Sequence, residues 1–167
     1  LSHISDEELY AMLCRRDAAA HAAFEELYAR HSSRVYTYCR RMLNNTAPAE
    51  DTFQETFVRL YNSAQTERTM TNVGAYLLRI ARNLCLNEKQ KKHHSMLPLE
   101  EFDFPARHPS YESVELAQIV ETAVEALPEE YREVLIFREY LGLSYNEIAD
   151  VLSTSMPVVR TRIYRAK

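Results

Sequence analysis

The stretch SYNEIADVLSTSMPVVRTRIYRA, residues 144–166, carries two short helical patterns separated by a three-residue turn. Ser144-Tyr145-Asn146-Glu147 is a capping box, the arrangement that opens a helix by satisfying its first backbone amides. The turn is Ser153-Thr154-Ser155. We expect Ser155 to cap the second helix, because Pro157 suits a first helical turn. The second helix is basic on its outer face, so the stretch predicts a helix-turn-helix able to enter the major groove of DNA.

The rest of the chain has apolar residues at helical spacing and no convincing strand. Four helical stripes in residues 1–92 predict one antiparallel, bundle-like domain. Residues 93–112 contain three prolines and no helical stripe, which predicts a linker. Helices resume over 113–167. The sequence therefore predicts an all-α chain of two small helical domains joined by an irregular linker.

Composition excludes several classes of protein. The chain has only two glycines, which rules out a Walker A loop and a dinucleotide-binding glycine motif. Its three cysteines are far apart and are expected to be reduced. Neither Cys85 with His93-His94 nor the pair His21 and Glu25 matches a metal-site pattern. No nucleophile–base set can be assembled. We therefore expect no enzyme activity, cofactor, metal site or membrane insertion, and a cytoplasmic location.

The charge of the chain is uneven. The formal net charge is −4, yet the segment from Arg68 to Lys92 has six basic residues against Glu88 alone. The segment from Pro157 to Lys167 has four basic residues and no acidic one. Affinity for nucleic acid follows the number of phosphates neutralised. An acidic chain with two basic patches is expected to bind duplex DNA poorly alone and well when a partner holds it there.

Six stretches together resemble a known family. LPEEYREVL (127–135), GLSYNEIA (142–149) and VRTRIYRAK (159–167) are similar to region 4 of the bacterial sigma-70 family, in its extracytoplasmic-function (ECF) branch. AAFEELY (22–28), AEDTFQETF (49–57) and AYLLRIARN (75–83) resemble region 2 of that branch. The motifs run in the family's order, with the predicted linker between them.

The resemblance implies a promoter-specific transcription initiation factor that binds core RNA polymerase. Residues 1–92 would be the region 2 domain, which recognises the −10 element and binds the polymerase. Residues 93–112 would be the linker. Residues 113–167 would be the region 4 domain, which reads the −35 element. The other expected partner is promoter DNA. Members of the family are often held inactive by an anti-sigma factor, so the resemblance also implies such a partner.

The resemblance also implies site residues. The expected −35 contacts are Ser155, Arg160, Thr161, Arg162, Tyr164 and Arg165, with Arg160 and Arg165 preferred because Val159 and Ile163 fix the inner side. The expected −10 contacts are Arg68, Arg79, Arg82 and Asn83, the asparagine matching a base-reading position. The expected polymerase contacts are Asp51, Gln54, Glu55 and Arg59.

Three positions depart from the family pattern. Ser153 stands where a glycine is common in the turn, Pro157-Val158 stands where the family has a Gly-Thr pair, and Glu67 stands where an aromatic residue often receives an unstacked base.

The sequence leaves two other classes of protein open. One is a stand-alone helix-turn-helix regulator that binds DNA without polymerase, and the other is a helical adaptor that binds only protein.

Overall fold

The computed structural model describes residues 1, 3–66, 69–95 and 112–167, and this part of the chain is all-α, as predicted. Arg68 and most of the predicted linker 93–112 lie outside the described residues. The helices are α1 (Asp6–Arg15), α2 (Ala20–Leu43), α3 (Thr46–Ser63), α4 (Val73–Ser95), α5 (Glu112–Ala126), α6 (Glu129–Leu135), α7 (Tyr145–Leu152) and α8 (Met156–Ala166), with a π-helix (Ile136–Tyr140) directly after α6.

Helices α1 to α4 pack into one bundle, which we call the N-terminal unit. Its first helix begins with the capping box of Ser5 and Glu8, whose reciprocal hydrogen bonds measure 3.2 and 3.0 Å. The fourth begins at Val73 and is capped by Asn72, whose side-chain oxygen accepts from the backbone amide of Ala75 at 2.9 Å. Both starts follow the sequence, because local caps satisfy amides that no helical partner can reach.

Aromatic rings join α2 to α3 and decide which way α3 faces. Phe53 and Phe57 of α3 lie 5.4 Å apart, centroid to centroid, and contact rings of α2. Tyr28 packs against both of them, at 5.9 and 4.7 Å. Such edge-to-face pairs add to the stabilisation that comes from burying the rings. Because this side of α3 is turned toward α2, its polar side remains at the surface.

Helices α5 to α8 and the π-helix make up the second part, which we call the C-terminal unit. In its helix-turn-helix the Ser144 capping box is confirmed, with hydrogen bonds of 3.2 and 2.7 Å to and from Glu147. Ser155 lies at the N-cap of α8, but its side chain makes no capping hydrogen bond, so that expectation was wrong. Pro157, at the second helical position, has no amide to donate, which leaves only that of Val158 at the third position, and the Ser155 side chain accepts no hydrogen bond from it.

The π-helix was not predicted from the sequence. Glu133, Val134, Leu135, Ile136 and Phe137 are all buried in succession, which one face of an ordinary α-helix does not achieve. The wider turn, with the Leu141 amide donating to the Ile136 carbonyl at 3.1 Å, ends at Gly142 with a φ of 67°. The run is buried on two sides because the two units of the chain lie against each other, with the ring of Phe137 stacked on Tyr38 at 5.1 Å.

The turn of the helix-turn-helix gives a test of the backbone assignment. Ser153 has a φ of 50°, in the left-handed region that favours glycine. Replacing Ser153 by Gly relieves the strain but adds freedom to the unfolded chain, so we expect a net gain of about 0.5–1 kcal/mol in the free energy of unfolding. Denaturant unfolding measures this gain. Ser153→Ala is the matched control, since it keeps the Cβ and should give none. A Gly variant no more stable than the Ala variant would contradict the assignment.

Candidate nucleic-acid interface

The outer face of α8 is the first candidate surface. Val159 and Ile163 are buried, which turns Arg160, Tyr164 and Arg165 outward. The Tyr164 side chain is 82% exposed. Within the described part of the chain, no ion pair involves Arg160 or Arg165. Residues four apart on a helix stack along one side, so Arg160 and Tyr164 form one row and Thr161 and Arg165 form another.

Two of the expected −35 residues are less free. The Arg162 guanidinium turns toward α6 and lies 3.5 Å from the Glu130 carboxylate. The Thr161 hydroxyl donates to the Pro157 carbonyl at 3.0 Å, although its side chain is exposed. Ser155 is exposed at the start of the helix. The structure thus separates an outward set, Arg160, Tyr164 and Arg165, from an arginine held against its own unit.

Two of the three expected −10 arginines, Arg79 and Arg82, lie on α4, and both contact the C-terminal unit. Arg79 donates from Nη2 to the Asp150 carboxylate of α7 at 2.9 Å. The other oxygen of Asp150 accepts from the Asn72 side-chain amide at 3.1 Å. Arg82 donates from Nε to Oε1 of Glu133 on α6 at 2.7 Å. Neither contact was expected from the sequence.

Glu133 is the centre of this contact, since only 1% of it is exposed. Its Oε1 accepts a second hydrogen bond, from the hydroxyl of Tyr38 on α2, also at 2.7 Å. Burial, together with the negative charge of Glu133, raises the pKa of Tyr38 well above its usual value. For Arg82, burial acts to lower the pKa, but the carboxylate of Glu133 outweighs it and raises the pKa. A buried carboxylate with two such donors is the arrangement that offsets the cost of removing charge from water.

Asn83 stands apart from those two arginines. It is exposed on α4, next to Arg82 in sequence. Glu67, at the position where the family often has a base-stacking aromatic residue, lies with Arg68 outside the described residues. The expected −10 set therefore divides into one residue open to solvent, two held by carboxylates and one, Arg68, that is not described.

The expected polymerase surface forms one side of a groove. Asp51, Glu55 and Arg59 line an open groove of about 730 Å³ between α3 and α4, and Gln54 is exposed on α3 outside it. Arg59 donates from Nε to Glu55 at 2.8 Å. The α4 side of the groove consists of residues that the sequence analysis did not select: Leu84, Asn87, Glu88, Gln90 and Lys91.

Among the described residues, no group of three or more metal-ligating side chains is found. His21 and Glu25 form an exposed pair with 3.3 Å between their nitrogen and oxygen atoms. None of the described helices is both long enough and apolar enough to cross a membrane.

Comparison with known proteins gives matches to both units. The sequence model of Sigma-70 region 2 matches residues 27–94, and that of Sigma-70 region 4 matches residues 117–167. The RNA polymerase sigma factor CarQ of Myxococcus xanthus is 30% identical over 149 residues, which cover 87% of this chain and 86% of CarQ.

The chain belongs to the sigma-70 family. Its relatives lie in the ECF branch: the ECF RNA polymerase sigma factor SigE of Mycolicibacterium smegmatis is 35% identical over 159 residues, covering 90% of this chain. The present chain spans 61% of the length of that relative. The ECF sigma factor SigW of Bacillus subtilis is 28% identical and covered over 85% of its length. As a sigma factor the protein is a transcription initiation factor and not an enzyme.

Solved structures agree with this fold. The sigma factor matches CnrH, solved in complex with the cytosolic domain of CnrY, with a TM-score of 0.73 and 25% identity over 96% of this chain and 91% of that one. It also shares its fold with RpoE of Bartonella quintana, at a TM-score of 0.66 and 20% identity over 86% of this chain and 91% of that one.

Sequence reasoning selected the arginines of this sigma factor but missed the acids that hold them. Glu133 lies in the stretch EEYREVL, where it was taken only as part of a family motif, and Asp150 lies in the first helix of the helix-turn-helix. The position of Glu133 in the sequence was the one available signal. It directly precedes the apolar run Val134–Phe137, and an acidic residue next to a buried run is expected to be shielded from solvent and to need a partner. Tyr38 similarly sits on the apolar stripe of α2.

The buried hydroxyl of Tyr38 gives a pH test of this contact. Its pKa is raised above the ordinary value of 10.0, so the folded state holds the proton more tightly than the unfolded chain does. The stabilisation that comes with it is present below pH 10 and decreases as the pH rises beyond that point. One such proton changes the free energy of unfolding by at most about 1.4 kcal/mol per pH unit.

Tyr38→Phe removes the hydroxyl that titrates, so we expect this variant to lose less stability than the wild type as the pH rises. The free energy of unfolding measured between pH 8 and pH 11 tests this. Tyr61→Phe is the control, because Tyr61 is exposed on α3 and lies away from Glu133. The Tyr61 variant should keep the wild-type slope. Equal slopes in the Tyr38 variant and the wild type would show that Tyr38 does not hold its proton in this way.

Proposed function

We propose that this ECF sigma factor binds core RNA polymerase and directs promoter-specific initiation by recognising a −10 and a −35 element. In this proposal residues 1–92 form the domain that reads −10 and binds the polymerase. Residues 93–112 form the linker, and residues 113–167 form the domain that reads −35. The observation that carries the proposal is the outer face of α8, where Arg160 and Arg165 project from a helix whose opposite side is buried.

The chemistry of that face suits a major groove. An arginine reads guanine through two parallel hydrogen bonds, and it also binds phosphates. Arg160 and Arg165 lie on adjacent rows of α8, and Thr161 and Tyr164 supply hydroxyl groups beside them. Ser155 lies at the amino end of the helix, where a phosphate can approach. Arg162 has the weakest claim, because Glu130 already holds its guanidinium.

At the −10 element, Asn83 is the proposed base reader. Its amide carries both a donor and an acceptor, so it can pair with the edge of an unstacked base. The exposure of Asn83 on α4 supports this role. Arg79, Arg82 and Arg68 would bind the phosphates of the same strand.

The polymerase is proposed to dock at the groove between α3 and α4. Asp51, Glu55 and Arg59 line it with two acidic side chains and one basic side chain, and Leu84 adds an apolar surface from α4. Gln54 extends the same surface of α3. A net charge of −4 disfavours strong binding to DNA by the free chain, so a partner that carries the chain to the promoter is an economical explanation of the two local basic patches.

This role has consequences for location and regulation. A subunit of RNA polymerase works in the cytoplasm, where the polymerase and the chromosome are. We further propose that an anti-sigma factor holds the protein inactive, which is supported by the likeness to CnrH, a protein solved together with the cytosolic domain of CnrY.

The alternative, a regulator that binds DNA without polymerase, is not favoured by membership of the family. Promoter-specific transcripts made by core polymerase together with this chain, and no specific DNA binding by the chain alone, would support the sigma factor. Specific DNA binding by the chain alone would support the regulator.

The −35 assignment predicts different results for neighbouring arginines. Replacing Arg160 or Arg165 by Ala should lower transcription from a −35-dependent promoter at least about fivefold, and a lost phosphate contact should also reduce the salt dependence of binding by about one unit of slope. Affinity for core polymerase should not change. Arg162→Ala is the matched control and should have a smaller effect. An effect of Arg162→Ala equal to or greater than the others would contradict the proposed orientation of α8.

The −10 assignment predicts a change in base preference. Asn83→Ala should lower the preference of the holoenzyme for one −10 base about tenfold, because a good pair of base hydrogen bonds contributes about 1–3 kcal/mol. Transcription from a library randomised at the −10 element measures this preference. Asn146→Ala, at an exposed position on α7, is the control and should leave it intact. An unchanged preference in the Asn83 variant would remove Asn83 from the site.

A further inference from the structure

One apolar side chain lies on the face of α8 that is proposed to read DNA. Val158 is 38% exposed and stands three residues before Thr161 and seven before Arg165. We propose that Val158 is a specificity-determining residue of the −35 contact, which packs against the C5-methyl group of a thymine in the major groove. The proposal rests on the proposed function, because it takes α8 as the helix that enters the groove. It adds to the arginine contacts a base pair that is read by apolar contact.

Helical spacing places Val158 on the outer side of α8. Residues three and seven apart lie on the same side of an α-helix. Val159 and Ile163 are buried and define the inner side. Val158 instead shares its side with Thr161 and Arg165. These last three side chains also line one open groove of about 290 Å³ between α8 and α6, so the structure gives Val158 the neighbours that the spacing predicts.

The position of Val158 along the helix suits contact with base edges. In a helix-turn-helix, the amino-terminal residues of the second helix contact the bases. Val158 lies in the first turn of α8, and Arg165 lies two turns further on. A rise of about 1.5 Å per residue separates them by about 10 Å along the helix axis, which corresponds to about three base pairs. The two side chains are therefore placed over different base pairs.

The chemistry of an exposed valine at this position selects thymine. Thymine presents a methyl group in the major groove, whereas the other three bases present hydrogen-bond donors and acceptors there. A valine that covers a donor or acceptor removes its hydration and offers no partner, which costs free energy. Against a methyl group, the same side chain buries apolar surface and is stabilised. Val158 thus favours thymine and also disfavours the other bases.

Two neighbours of Val158 are poor hydrogen-bond donors for DNA. The Thr161 hydroxyl donates to the Pro157 carbonyl at 3.0 Å, so this hydrogen is not available to a base. Pro157 has no amide hydrogen. Val158 itself stands where a threonine would offer a hydroxyl to a phosphate. The side chains at the start of α8 therefore make an apolar contact with the groove more favourable than a polar one.

Removal of single methyl groups from the DNA tests the contact without changing the protein. The probe is a promoter whose −35 element the holoenzyme has selected from a randomised library, with each thymine of that element replaced in turn by deoxyuridine. Deoxyuridine differs from thymidine only in lacking the C5-methyl group. For the wild-type holoenzyme, replacement of one thymine should lower transcription about threefold, because the burial of one methyl-sized apolar group is lost.

Variants decide whether Val158 is the residue responsible. Val158→Ser removes the apolar contact, so its transcription should be equal on the thymine and deoxyuridine templates. Val158→Ile keeps the contact and should keep the penalty. Val120→Ser is the matched control, because it makes the same change at a valine of α5 that is 48% exposed, and it should also keep the penalty. Each result is a ratio between two templates, so a general loss of activity or stability does not produce it.

The outcomes separate this inference from the proposed function. A selected element without thymine, or a wild type with equal transcription on every deoxyuridine template, would overturn the thymine contact. The −35 assignment would still stand if Arg160→Ala lowered transcription in the same assay. A penalty that Val158→Ser retains would belong to another residue and would also overturn the proposal. If core polymerase and this chain made no promoter-specific transcripts, the proposed function would be contradicted, and this inference with it.

Discussion

A single buried carboxylate links the fold of this sigma factor to its proposed use of DNA. Glu133 has almost no contact with solvent, and two donors from the other unit, Tyr38 and Arg82, meet the same oxygen. A charge in that position requires partners, because its hydration has been removed. The packing of the two units therefore depends in part on Arg82, a residue of the proposed −10 surface.

The two helices of the helix-turn-helix face different surroundings. Its first helix, α7, lies on the inside and presents Asp150 to the N-terminal unit. Its second helix, α8, lies on the outside and keeps its arginine face clear. The net charge of −4 fits this arrangement, because acidic side chains of the C-terminal unit pair with the arginines of α4. Affinity for DNA then depends on where the chain is held as well as on what it contains.

Local features of the fold could be predicted from the sequence, whereas contacts between distant segments could not. The Ser144 capping box depends on neighbours within a few residues, and the structure has it where the pattern predicts it. The caps at Ser5 and Asn72 and the left-handed Gly142 are equally local, since each uses a residue type that favours its position. Ser155 occupies the N-cap position of α8, but its side chain makes no capping hydrogen bond.

The same limit applies to the candidate site: the outward residues of a helix could be predicted, but their distant partners could not. The buried positions Val159 and Ile163 follow from helical spacing and fix the outward residues of α8. The partners of Arg82 and Arg79 are 51 and 71 residues away in sequence, and no periodic pattern reports such a pairing. The π-helix was missed for the same reason, since it exists where a single run of residues is covered from two sides.

The distance between the two units in the free chain and in the holoenzyme tests the account most directly. Spin labels on cysteines introduced at the exposed Asn62 and Glu139, with Cys14 replaced by Ser, would report it, since Cys39 and Cys85 are buried. The account predicts one short distance in the free chain and a distance longer by tens of ångströms after core polymerase and promoter DNA are added, as two elements about two helical turns apart require. The same distance in both states would contradict it.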